Sequence, residues 1–493
     1  MELTWISVIP PLLAVALAFI TRDAVVSLLV ACFVGVLLLG EGISGFPDFL
    51  IRALASKDFI WVTLLEFNIG ILVAFFQRSG AVKLFTEKVG SWVRTRRQVG
   101  GLGWGLGITI FFSDYFSPLF VGPVMRTLTD KYKISREKLA YICDSTSAPM
   151  IALIPFTGWA VYMGGLTIGI GPVTDQAAAM DLYIHSIPFN FYSFLAIGMV
   201  GLLAMNIIPD FGPMKKAEDR AKNEGKVLRD GAVPMMGKEL TNLEVSTTGK
   251  PNIYLNFIIP IMLVVGINLA SFIVYGKIAI LQSYLTVCSL FAITMILQKI
   301  DNLQGVMKTV MAGMKGVMPA VTILALAFCI NTISRELKTA EYVVSLTEAW
   351  LLPNLLPMIT FFLAGFISFA TGTSWGTYAI MIPIAMPLAF QFSGGEVNTL
   401  IYSTFAAVAG GGVFGDHCSP LSDTTVLSSL GSACDHIDHV KTQMPYALTV
   451  GILSLTLGCL GIGFGIPVWV ILLSGTAIIW AIMHFIGKPI VPT

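Results

Sequence analysis

Charge is what this sequence has least of. Lys, Arg, Asp and Glu make up 12% of its 493 residues, about half the ~25% usual in soluble domains, so an ordinary water-facing surface is excluded. The charge present nearly cancels, at +1, which leaves no basic footprint for nucleic acid. Cysteine is scarce and odd in number, seven residues, with Cys32, Cys288, Cys329 and Cys459 inside apolar runs. That argues against a disulfide framework and for buried thiols. No G-x-x-x-x-G-K-[ST] run offers a nucleotide engine, and no H-E-x-x-H pair offers a zinc protease. Neither an enzyme nor a resident cofactor is expected. The start, MELTWISVIPP, has no basic n-region or cleavage site, so the first apolar run is expected to be retained.

Long apolar runs are what the chain has in abundance. Hydrophobic residues reach 55% and mean hydropathy is +0.81. Leu3–Ile20, Ala24–Leu39, Phe59–Phe76, Phe189–Ile208, Ile253–Tyr275, Ile278–Leu297, Val317–Ile333, Pro445–Phe464 and Val468–Ile486 are near bilayer-spanning length. With the interrupted segments, the length rule gives roughly 11 to 13 crossings or half-crossings. The fold class expected is an all-α polytopic membrane protein whose first partner is the lipid bilayer.

The interruptions carry the chemistry. AGGGVFGDHCSPLSDTTVLSS, beginning at Ala409, places Asp416, Ser419, Pro420, Asp423 and Thr424 after an apolar run. At membrane depth, irregular backbone survives only where protein buries it or a wet cavity faces it. Carboxylates and hydroxyls beside freed carbonyls form hard oxygen donors suited to a small cation. CDSTSAP repeats the theme with Asp144, Ser145, Thr146 and Pro149. Ser368–Pro387 adds Thr373 and Ser374, flanked by Gly372 and Gly376. These two hydroxyls either complete a cation shell or permit close helix packing. Gly100–Met125 lies between two basic loops, so it is expected to enter and return as a re-entrant hairpin or two short pieces, with Asp114 near the tip. Asp114 is the leading proton-coupled acid, since burial penalises a charged carboxylate. Glu66, in the middle of an apolar run, is a second proton candidate or a neutral hydrogen-bonded acid.

The order of plain helices and breaks occurs twice, around a charged stretch. We divide the chain into a first transmembrane repeat at 1–210, a cytoplasmic linker at 211–251 with a solvated charge run, and a second repeat at 252–493. Matching interruptions in two halves point to a midplane transport site between repeats, taken here as inverted. Asp416 and Asp423 offer one ligand and one cap for the helix after Pro420. A metal site drawn from Asp416, His417, Cys418, Cys434, Asp435, His436, Asp438 and His439 is the lesser reading; a polar helix end at the membrane surface is the plainer one for Asp435–His439. Arg335 is either a carboxylate contact or a snorkelling interfacial residue.

GDHCSPLSDTTVLSS, REKLAYICDSTSAP, IPFTGW, DYFSPLFVG and ATGTSWGT together resemble the blocks of the NhaC-type sodium/proton antiporter family, within the wider ion-transporter superfamily. The resemblance spans both halves and implies a cation-coupled secondary transporter of the bacterial inner membrane, built of two repeats. Relatives often carry two consecutive acids where this chain has Ser113 and Asp114. The function expected is sodium/proton antiport by alternating access, with Na⁺ held by Asp144, Asp416 and Asp423. The alternative is a sodium-coupled symporter or exchanger of a small organic solute, an amino acid or carboxylate. Na⁺ and H⁺ are then cargo, and lipid-facing helices leave room for a homodimer.

Overall fold

The computed structural model describes residues 5–21, 23–90, 92–111, 114–155, 157–236, 243–246, 248–275, 279–339, 342, 345 and 352–487; Ser113 lies outside them. In the first half, α1 (Ile9–Thr21), α2 (Ala24–Leu38), α3 (Phe46–Leu54), α4 (Lys57–Arg78) and α5 (Ala81–Gly90) precede a series of short helices. These are α6 (Arg96–Thr109), α7 (Phe116–Lys131), α8 (Arg136–Ser145), α9 (Ala148–Ile151) and α10 (Gly158–Gly165), followed by α11 (Gln176–Ser186) and α12 (Phe191–Ala204). The linker forms α13 (Gly212–Glu224). The second half contains α14 (Ile259–Tyr275), α15 (Ile280–Leu297), α16 (Leu303–Glu336), α17 (Leu356–Thr371) and α18 (Ser374–Phe392). It closes with α19 (Thr399–Cys418), α20 (Asp423–Gly431), α21 (His436–Leu453) and α22 (Val468–Ile486).

Among the described residues, eight helices are long and apolar enough to cross a bilayer, ten if each of two sharply bent pairs counts as one span. The rest of the expected crossings are half-length pieces: α6, α7, α8, α10 and α20 have 14, 16, 10, 8 and 9 residues, too few to cross alone. The protein is an all-α, multi-pass membrane protein. All seven cysteines are buried free thiols.

The residues that interrupt the apolar runs are the ones that start the next helix. Ser135 accepts from the Lys138 N–H, Thr157 from Ala160, Thr373 from Gly376 and Ser422 from Thr425, at 3.2–3.3 Å. Each satisfies a donor that would otherwise be stranded in a dry interior. Ser422, rather than either aspartate, therefore caps the helix after Pro420, correcting the expectation of a carboxylate cap.

The breaks also cross each other. α17 ends on Gly372 at φ +70°, where a Cβ would stand 2.6 Å from the Leu421 carbonyl oxygen. A side chain at Gly107, near the end of α6, would collide with Thr146 at the α8–α9 break. Two large apolar clusters flank these crossings. One joins 14–143 to 235–337 and 421–437, and the other joins 141–214 to 356–483. The polar breaks lie along the seam between them.

The linker departs from the solvated charge run expected for it. Met214, Ala217, Glu218 and Ala221 of α13 are buried. Glu218 pairs with Arg96 and Lys138 and accepts the Ser135 N–H at 2.8 Å. Lys138 also meets Asp210 at 2.8 Å, Arg220 meets Glu137 at 2.8 Å and Arg229 meets Asp438 at 2.8 Å. Burial alone would raise the Glu218 carboxyl, but Lys138 and Arg96 outweigh it and hold the group below the usual glutamate range. The charges of α13, with Arg229 beyond its end, thus strap the starting ends of α6, α8 and α21 together. Arg335 is exposed at the end of α16, the position of a snorkelling cation.

Candidate ion site

α19 runs through its glycines to Cys418 and stops before Pro420, so α20 starts afresh with Asp423 in its first turn. This turns the Asp416 and Asp423 carboxylates into the protein interior, where Asp144 arrives from the last turn of α8. Thr424 Oγ1 donates to Asp416 Oδ2 at 3.1 Å. Thr425 Oγ1 lies 3.2 Å from Asp144 Oδ2 and 3.4 Å from the Asp416 carbonyl oxygen. Tyr115 donates to Asp423 Oδ2 at 2.6 Å, and Trp159 Nε1 to Asp114 Oδ2 at 3.2 Å. One hydrogen-bonded seam therefore joins the first-half and second-half breaks.

Asp144 and Asp416 are fully buried, and Oδ1 of each has no hydrogen-bond partner. Neither meets a Lys or Arg; the nearest basic group to Asp144 is His439 Nε2, at 3.9 Å. A buried carboxylate left in this state costs several kcal/mol unless a proton or cation neutralises it. The chemistry available here is reversible capture of a small cation by carboxylate, hydroxyl and carbonyl oxygens.

The other expected residues divide. Ser419 Oγ donates to the Phe369 carbonyl at 2.8 Å and braces the second-half crossing. Thr146 Oγ1 turns back to the Ile142 carbonyl at 2.7 Å, while Ser145 stays buried beside Asp144. Thr373 and Ser374 sit at the crossing, with Thr373 engaged as a cap and neither bonded to a carboxylate. Glu66 is buried in α4 with both carboxylate oxygens unpartnered, so it makes no hydrogen bond to the seam. Trp61 of the same helix packs edge-on to Tyr115.

No group of three His, Cys, Asp or Glu side chains among the described residues is placed to hold a metal ion. The transition-metal reading finds no cluster, and the three aspartates are strung along threonines rather than gathered at one point. His436 and His439 do share a face of α21, but both Nδ1 atoms meet Ser429 Oγ, at 3.0 and 2.9 Å. Both rings are buried, so the plainer surface reading of this segment is corrected for the two histidines. They pack under α20, whose Ser429 gives them a shared polar partner.

Sequence reasoning missed Tyr115, Trp159, Thr425 and Gln443 as site residues, and considered His439 only as a metal ligand or part of a helix end. Gln443 Nε2 donates to Asp144 Oδ2 at 2.6 Å and to the His417 carbonyl at 2.8 Å. The available signal was spacing: His436, His439 and Gln443 stand at i, i+3 and i+7 on a membrane helix, which puts three polar groups on one face.

Comparison with known proteins agrees with this chemistry. Residues 150–462 match the family model described as the Na⁺/H⁺ antiporter family. A Haemophilus influenzae protein described as uncharacterized is 33% identical over 497 residues, covering 93% of this chain and 91% of its own length. An uncharacterized Na⁺/H⁺ antiporter of the same organism is 34% identical over 104 residues, 21% of each chain. The malate-2H⁺/Na⁺-lactate antiporter of Bacillus subtilis is 30% identical over 105 residues, again 21% of each chain.

Proposed function

The chain belongs to the Na⁺/H⁺ antiporter family and is a transporter of the antiporter type; on that premise we propose that it exchanges sodium for protons by alternating access in the bacterial inner membrane. The observation that carries this reading is the pair of buried, incompletely bonded carboxylates, Asp144 and Asp416, with no fixed cation beside them. Sodium or protons neutralise them in mutual exclusion, with Asp423, Thr424 and Ser145 completing the polar surroundings and Ser419, Thr146, Thr373 and Ser374 shaping the breaks. Asp114 and Glu66 are the candidates for carrying the coupled proton. The α6–α9 and α17–α20 crossings form the cores of two inverted repeats that rock about this seam.

Purified protein in proteoliposomes tests the reading. An inward Na⁺ gradient should drive proton efflux, seen as a rise in lumenal pH, and Asp144→Ala should abolish it. A second reading, exchange of a small organic acid with Na⁺ or H⁺, is favoured by the name of the Bacillus subtilis relative. Proton flux that appears only after malate or lactate is added would replace the first reading with the second.

A further inference from the structure

Gln443 holds a position that a cation would be expected to hold. Its side-chain nitrogen lies 2.6 Å from Asp144 Oδ2 and 2.8 Å from the carbonyl oxygen of His417. Its oxygen meets His439 Nε2 at 3.0 Å. The orientation of the amide follows from its partners, because the His417 carbonyl can only accept and so requires the NH₂ end. His417 lies in the last turn of α19, where carbonyls have no intrahelical partner. The NH₂ group is thus fully buried between a carboxylate from the first-half break and a helix-end carbonyl from the second. Those are the two kinds of oxygen that a hard monovalent cation seeks at a broken helix. Thr425 Oγ1 stands on the same carboxylate oxygen at 3.2 Å, and Asp144 Oδ1 has no partner.

We propose that the Gln443 amide is a built-in stand-in for the transported cation, occupying the sodium position between Asp144 and the His417 carbonyl until sodium displaces it. This rests on the reading of Asp144 as a sodium ligand. The amide satisfies the hydrogen-bonding geometry but carries no charge, so it holds the two halves together without neutralising the carboxylate. On sodium entry, a half-turn of the amide presents Oε1 to the ion as a third oxygen ligand. The NH₂ end then faces His439 Nε2. In the starting arrangement Nε2 donates to Oε1. After the half-turn it accepts, so the neutral ring changes tautomer and carries its proton on Nδ1, toward Ser429 Oγ, 2.9 Å away. The exchange trades two hydrogen bonds for ion contacts, which keeps bound sodium releasable.

Gln443→Glu tests the proposal. A carboxylate at this position cannot donate to Asp144 or to the His417 carbonyl and instead demands a cation between them. The measurement is thermal unfolding of purified protein in alkaline buffer, titrated with sodium chloride against choline chloride. Relative to wild type, Gln443→Glu should unfold earlier without sodium. Its sodium midpoint should fall about tenfold or more, and saturating sodium should return it close to wild-type stability. Sodium stabilisation of wild type with the same midpoint in Gln443→Glu overturns this inference alone. No sodium stabilisation of wild type removes the ion-site reading and this inference with it. Should the variant fail to fold, sodium-induced infrared difference spectra of wild type serve instead. A shifted glutamine C=O band that is lost in Gln443→Met is expected, and its absence in wild type overturns the proposal.

Discussion

Glu218 and Asp144 are both fully buried carboxylates on helices that touch one another, yet their surroundings have little in common. Glu218 is met by a guanidinium, an ammonium and a backbone N–H. Asp144 is met by a hydroxyl, an amide and an imidazole at 3.9 Å, with one oxygen left over. Fixed counter-ions make a carboxylate part of the scaffold. Uncharged donors orient it and leave its charge for something that comes and goes. The linker-side clamp and the seam thus set the same carboxylate group in opposite surroundings, one that fixes its charge and one that, on the proposed function, leaves it for the transported ion.

The largest expected effect breaks the seam side of this contrast. Asp144→Asn should reduce sodium-driven proton flux to background, at least about a thousand-fold, while thermal stability holds or rises because an uncompensated charge is gone. A matched loss of flux and stability would place Asp144 with the scaffold instead. On the clamp side, Lys138→Met leaves Asp210 and Glu218 without their shared ammonium. Chemical denaturation should register a loss of about 3–5 kcal/mol, and adding Asp210→Asn should recover part of it.

The contrast was half legible in the sequence. Asp144, Asp416 and Asp423 stood out because an acid beside Pro and Gly cannot sit in a lipid-facing helix, and the structure brings them to one seam. Gln443 did not stand out, since it is a lone polar residue at the head of an apolar run with no motif around it. His439 stood out only as part of the Cys434–His439 cluster, not as a neighbour of Asp144. The clamp was misread for a physical reason: a run of mixed charge has the composition of a solvated surface, and only the fold shows that Glu218 faces Arg96 and Lys138. Short helices such as α8 and α20 were foreseeable as breaks, but their ends depended on which hydroxyl caps, and Ser422 took the position assigned to a carboxylate.

Smaller effects sharpen the picture. The Glu218 carboxyl is held below its ordinary value when folded, so its contribution to stability is present above the unfolded value, about pH 4.3, and lost as pH falls through the folded value. Unfolding free energy measured against pH should show an acid limb that is shallower in Glu218→Gln. Tyr115→Phe removes a single hydrogen bond to Asp423 and should change the sodium midpoint by about 1 kcal/mol, roughly fivefold. Arg52→Ala, on the exposed pairs with Glu41 and Glu336, should alter stability by less than about 1 kcal/mol and leave flux untouched.

Sodium/proton exchange requires that the seam hold either a proton or sodium. Its most direct test is calorimetric titration of sodium into the purified wild-type protein, repeated in buffers of different ionisation enthalpy. The heats should differ between buffers in proportion to protons released on binding, and Asp144→Asn should abolish the sodium signal. Sodium binding whose heat is the same in every buffer would contradict that requirement.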